Sequence, residues 1–291
     1  MDTHAIRPAR TVLLLTVALA AGWFSFFLFS RPGSAVAASV PVPGDSNPRQ
    51  PVLVELFTSE GCSSCPPADA LLARLDATQF VPGAQAIVLS EHVTYWNRLG
   101  WRDPYSSDEM TGRQQRYAAH FRLGSVYTPQ IVVDGATEFV GNDSTALTRA
   151  VARAAATPKA ALTLENVQWT GNAVSFAARS SAPHATLFAA LAEDATQSSV
   201  ARGENAGRTL RHVAVVRVLE EKGSNSADGR PLTLKLPARS VATPLRLVVF
   251  LTDRGSGRVL GVVEQAIPTQ SLSAGTRSTA ALAAVSIPGA H

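Results

Sequence analysis

Residues 52–67 read Val-Leu-Val-Glu-Leu-Phe-Thr-Ser-Glu-Gly-Cys-Ser-Ser-Cys-Pro-Pro. The first six are an apolar run rich in strand formers with one acid, Glu55, inside it, which predicts a buried strand. Thr58 to Gly61 make a loop. Cys62 and Cys65 follow at spacing i, i+3, and Pro66-Pro67 open a helix striped by Leu71, Leu72 and Leu75. Prolines suit a helix start because the first-turn N–H groups have no intrahelical acceptor. This places Cys65 a residue or two inside the first turn. A helix N-terminus carries partial positive charge and free N–H groups, which favour a thiolate at Cys62 and make it the attacking nucleophile. Cys65, lying deeper, resolves the mixed disulfide. Two other readings stay open. One is a structural disulfide, a poor staple because a two-residue loop gains little from closure. The other is a metal site, to which His92 or His120 could contribute, although zinc wants four ligands and there is no second cysteine pair.

The pattern continues outward from this stretch. Ala84 to Ser90 predicts a second strand. A dense polar and aromatic stretch, Glu91 to Tyr105, follows it and contains His92, Tyr95, Trp96 and Trp101. Strand ends on this side of an α/β sheet face the ligand crevice, so the aromatics can wall a peptide groove and His92 can act as a general base or a pH-sensitive charge. Local packing of a long loop is the competing reading. Ser106 or Ser107 caps a helix over 108–121, on which Arg113 and Arg116 are expected on a solvated face. Thr128-Pro129 enters a third strand, Asp134-Gly135 turns it into a short partner at 138–140, and Asp143 or Ser144 caps a last helix. The order is β-α-β-α-β-β-α over residues 51–157.

After Pro158 the pattern changes to seven strands separated by turn signals such as Asp228-Gly229 and Arg254-Gly255-Ser256-Gly257, which suggests a β-sandwich over 158–268. Gly203 to His212 is a polar loop leading into one of these strands. Residues 269–291, rich in Ser, Ala and Thr, are expected to be a disordered tail.

Arg7 and Arg10 precede an apolar stretch from Thr11 to Ser30, and Ala35-Val36-Ala37 fits a small-x-small cleavage site. Residues 1–37 therefore read as an export signal, with retention of residues 11–30 as a membrane anchor left open because about 20 apolar residues can span a bilayer. Residues 38–50 form a short proline-containing linker. The protein is expected to be periplasmic or secreted. Among 291 residues the net charge is +4, and losing residues 1–37 halves it. That is too weak to argue for nucleic acid. Two cysteines exclude a multi-disulfide scaffold, and two methionines argue against a Met-rich copper site.

Three segments, Leu53 to Pro67, His92 to Pro104 and Tyr127 to Gly141, resemble the DUF1223 proteins, exported thioredoxin-like proteins of unassigned function. The likeness spans about residues 50–265, including the Gly203–His212 loop. It implies a thioredoxin-like α/β domain followed by an all-β sandwich-like domain, with Cys62 and Cys65 as the redox pair and Thr128-Pro129 as the cis-proline dipeptide that shapes a peptide site. Glu55 matches the buried acid of thioredoxins if the loop here is one residue longer. A buried carboxylate can then exchange the proton of Cys65 through water, unless it faces an open sheet surface or pairs with a cation. The family's second segment often reads His-Val-Asp-Tyr-Trp-Asp; Thr94 and Asn97 replace both acids here, which puts an acid-dependent role of that loop in doubt.

The resulting expectation is an exported thiol–disulfide oxidoreductase without a cofactor, acting on protein or small-thiol disulfides and drawing electrons from another protein such as a membrane carrier. The alternatives are a soft-metal, Cu(I)-binding or delivery protein and a partner-binding module with a structural disulfide.

Overall fold

The computed structural model describes residues 49–182, 185–224, 226–237 and 244–267. The expected signal or anchor and the expected C-terminal tail lie outside the described residues, as does nearly all of the linker. No described helix is long and apolar enough to cross a membrane.

The elements in chain order are β1 (Gln50–Thr58), α1 (Pro66–Thr78), β2 (Ala84–His92), a 3-10 turn (Asn97–Leu99), α2 (Asp108–Phe121), β3 (Gln130–Val133), β4 (Thr137–Val140), α3 (Ser144–Ala155) and seven further strands. These are β5 (Leu162–Thr170), β6 (Ala173–Ser180), β7 (Thr186–Ser199), β8 (Thr209–Ser224), β9 (Asp228–Lys235), β10 (Leu245–Thr252) and β11 (Val259–Ile267). The local signals act as expected. The Ser107 side chain accepts from the Met110 N–H at the start of α2, and Asp143 does the same for α3. Asp134 and Gly135 both take positive φ in the turn between β3 and β4, the backbone a two-residue hairpin needs.

The described residues form a mixed α/β structure with a large, mostly β part and three α-helices. The large sheet has eight strands in the order β11-β10-β7-β8-β2-β1-β3-β4, and a second sheet has the order β5-β6-β9. The strands of the second half are therefore not a self-contained sandwich, because four of them continue the sheet of the first half. The seam is parallel pairing of β2 with β8 at Ser90 and Val215, reinforced by the Ser90 hydroxyl donating to the Val213 carbonyl at 2.7 Å.

The physical reason is visible in β7 and β10. Leu187, Ala189 and Leu191 face one core with Phe176 and Leu234 of the small sheet, while Ala190 and Ala192 face another with Leu72 of α1 and Val151 of α3. On β10, Leu247 and Val249 join the first of these cores, and Val248 and Phe250 the second. A strand buried on both faces reads as one continuous apolar run, so it carries no alternation to mark which layer it shares with its neighbours.

Candidate functional site

Cys62 and Cys65 lie at disulfide distance, with Cα atoms 5.4 Å apart. They sit where β1 hands over to α1. Cys65 is not inside the first turn but is the N-cap residue: the N–H groups of Ala68 and Asp69 donate to its carbonyl, and Pro66-Pro67 occupy the next two positions. Both cysteines are wholly buried.

The Thr128-Pro129 peptide is cis and stands beside the pair. The Thr128 hydroxyl donates to Cys62 Sγ at 3.3 Å and accepts from the Trp96 indole N–H at 2.8 Å. Leu56, Ala68 and Pro129 converge on Gly141, where a Cβ would stand 3.0–3.2 Å from all three. A side chain there would make the proline and its neighbours give by a few tenths of an ångström, so close approach favours glycine.

The other groove residues expected from the sequence scatter. Tyr95 turns to α2, where its hydroxyl donates to Gln114 Oε1 at 3.2 Å, and burial raises its pKa. Trp101 donates to Glu60 Oε2 at 2.8 Å. His92 is wholly buried rather than lining the crevice; its Nδ1 pairs with Asp103 Oδ2 at 2.7 Å. Asp103 is held at about 2: burial works against ionisation, but His92 and the N–H groups of Glu60 and Tyr105 outweigh it. Asn97 ties the same loop by accepting from the Asp103 N–H and donating to Ser106 Oγ, while Thr94 donates to Asp108. The two non-acidic substitutes in this segment thus have structural work in holding the loop.

Glu55 is buried, but its partners lie on α2. Arg113 Nε donates to one oxygen at 2.7 Å and the Tyr117 hydroxyl to the other at 2.6 Å. Parallel register sets Glu55 beside Leu89, so strand alternation puts Glu55 and Glu91 on one face and Thr58, Ser90 and His92 on the other. Arg113, expected on a solvated face, is buried here; Glu55 holds it charged against the opposing cost of burial. Arg116 is exposed.

Beneath the cysteine loop the second half of the chain supplies what the first lacks. His212 on β8 is buried, with Nε2 3.3 Å from Glu60 Oε1 and Nδ1 3.6 Å from Asp69 Oδ1. Burial disfavours its charged form, yet Asp69 and Glu60 raise its pKa to about 10. Its ring lies edge-on to His92, with centroids 4.6 Å apart. The polar loop before β8 contacts the cysteine segment. Asn205 Nδ2 donates to the carbonyls of Glu60 and Cys62, each at 2.9 Å, and Glu204 accepts from the Ser63 N–H at 3.0 Å. Asp69 and His212 carry no motif of their own. The one available signal for Asp69 is its spacing, four residues after Cys65, which on a helix means the same face. Among the described residues no group of three or more His, Cys, Asp or Glu is arranged to hold a metal ion.

Fold and site together define a mixed α/β protein with a Cys-Ser-Ser-Cys pair at a helix start, completed by residues of its β-rich half. The chain belongs to the DUF1223 family, described as proteins of unknown function, whose model matches residues 53–252. Among solved structures it is similar to an Agrobacterium tumefaciens protein determined by X-ray crystallography. The two are 26% identical with a TM-score of 0.55, over 76% of this chain and 95% of that one. No curated protein matches the chain.

Proposed function

We propose that this protein is an exported thiol–disulfide oxidoreductase, periplasmic or secreted, with a thioredoxin-like unit over 51–157 whose sheet is extended by the β-rich half over 158–268. The observation that carries the reading is the Cys62–Cys65 pair at the start of α1 with Thr128 donating to Cys62 Sγ. A thiolate at Cys62 has donors at hand in that hydroxyl and in Ser64 Oγ at 3.3 Å. The element order from β1 to α3 supports the thioredoxin-like assignment.

In the reducing direction Cys62 attacks one sulfur of the substrate disulfide and expels the other as a thiolate. Cys65 then attacks Cys62 Sγ, closing the pair and releasing the second thiol; two electrons pass from the pair to the substrate. Thr128 and Pro129, with Trp96, adjoin the attacked sulfur and form the substrate contact. With no other cysteine in the chain, the pair is reset by an external thiol or a membrane electron carrier. The test is turnover of a protein disulfide with a dithiol as electron source. Cys62→Ser is expected to abolish it, and retained turnover overturns the reading.

The complete burial of both cysteines favours one second reading, a partner-binding module with a structural disulfide. Under that reading, reduction lowers the stability of the fold. For an active pair, reduction leaves stability nearly unchanged.

A further inference from the structure

Closing the pair requires that Cys65 lose its proton, and a thiol reacts only as the thiolate. Three buried carboxylates lie near enough to the cysteine segment in sequence to be considered. Glu55 faces α2 and has both oxygens taken by Arg113 and Tyr117. Glu60 holds Trp101 with one oxygen and His212 with the other. Asp69 differs from both. It is 5% exposed, yet Oδ1 has no hydrogen-bond donor among the described residues, and the nearest cation is His212 Nδ1 at 3.6 Å. Its own N–H donates to the Cys65 carbonyl at 3.1 Å. That is one helical turn, the spacing at which side chains along a helix are neighbours.

We infer that Asp69, positioned by His212, is the proton acceptor for Cys65 when the pair closes. This rests on the redox reading of the pair. When Cys65 attacks the Cys62–substrate disulfide, its proton moves to the Asp69 carboxylate, the new Cys62–Cys65 bond forms, and the substrate leaves as a thiolate. The proton then passes to that thiolate or to solvent. In the opposite direction Asp69 returns it to the Cys65 thiolate as the pair opens. His212 is a positioning residue. It comes from β8, between Asp69 and Glu60, and supplies the positive charge both face. The other titratable groups packed around them are His92 from β2, Asp103 and Tyr105 from the loop after it, and Arg217 further along β8, whose guanidinium lies over the Tyr105 ring.

The reaction of the reduced full chain with dithionitrobenzoate separates the steps. Attack by Cys62 releases one thionitrobenzoate; closure by Cys65 releases the second. Asp69→Asn is expected to slow the second release about tenfold or more at pH 7 and much less at pH 9, with the first release within about twofold of wild type. His212→Gln is expected to slow the second release by a smaller factor. An unchanged rate and pH profile for the second release in Asp69→Asn overturns the inference. If neither variant folds, the wild-type protein decides: a second release flat from pH 6 to 8 supports a built-in acceptor, and one rising tenfold per pH unit overturns it. If the wild-type pair cannot be reduced, or releases only one thionitrobenzoate, the oxidoreductase reading fails instead.

Discussion

Glu55 and Glu91 leave one face of β1 and β2; Thr58 and His92 leave the other, and each face holds a cluster of buried charge. On the α2 side one guanidinium serves two acids. Arg113 binds Glu55 tightly and lies 3.5 Å from Glu91, whose pKa burial and the Glu55 charge push well above the usual range. The second half of the chain contributes aromatic cover there, Phe188 and Phe250 over the guanidinium. On the cysteine side the second half contributes a cation, His212, and a latch, Asn205. One cluster is closed on itself by residues of the first half. The other is incomplete without β8; both keep buried carboxylate oxygens free of hydrogen bonds, those of Glu91 on the α2 side and Asp69 Oδ1 on the cysteine side. What separates the two acids is their surroundings: burial and Glu55 favour the neutral form of Glu91, whereas Asp69 faces the cation of His212 one helical turn from Cys65.

Removing the cation breaks this contrast most sharply. Arg113→Met leaves Glu55 with the Tyr117 hydroxyl but without its cation, and denaturant unfolding is expected to show a loss of about 3–5 kcal/mol. A loss under about 1 kcal/mol would mean the α2 cluster is not held by that pairing.

His212 gives a pH signature on the other face. Its pKa is raised from 6.5 to about 10, so its contribution is fully present below about pH 6.5 and is lost as the pH rises through about 10. The shift corresponds to at most about 5 kcal/mol. Unfolding measured from pH 6 to 10 is expected to show wild type losing this increment and His212→Gln lacking it throughout. Parallel curves would place the charge elsewhere.

Asn205→Ala removes two hydrogen bonds to buried carbonyls and is expected to cost about 2 kcal/mol. The loss should appear alike in the oxidised and reduced protein, since the latch holds backbone rather than sulfur.

The smallest effect is expected at Glu91. Its folded pKa is raised, so its neutral form is in place below about pH 4.5 and the stability it gives is lost as the pH rises. Glu91→Gln should therefore lie within about 1 kcal/mol of wild type near pH 4 and be at least as stable at pH 8. A clear loss at pH 8 would mean that Glu91 is held ionised.

Much of this was legible in the sequence. The CxxC, the capping serine and aspartate, the Asp-Gly turn and the seven later strands are local signals that the structure follows, except that Asp228-Gly229, expected as a turn, opens β9 and Thr209 to His212, expected in a loop, begin β8. The joining of two sheets into one was not legible, because the runs of β7 and β10 are buried on both faces and carry no alternation. Arg113 was misread for a related reason: an arginine on an amphipathic helix normally points to water, and only the three-dimensional position of Glu55, 58 residues earlier, turns it inward. Asp69 and His212 are 143 positions apart in sequence, and nothing local links an acid in a helix to a histidine in a distant strand.

The most direct test of the central claim is the reduction potential of the Cys62–Cys65 pair, measured by equilibration with glutathione. The account predicts a value between about −270 and −120 mV, the span of pairs that cycle. A value below about −300 mV would mean a disulfide that stays closed, and would contradict it.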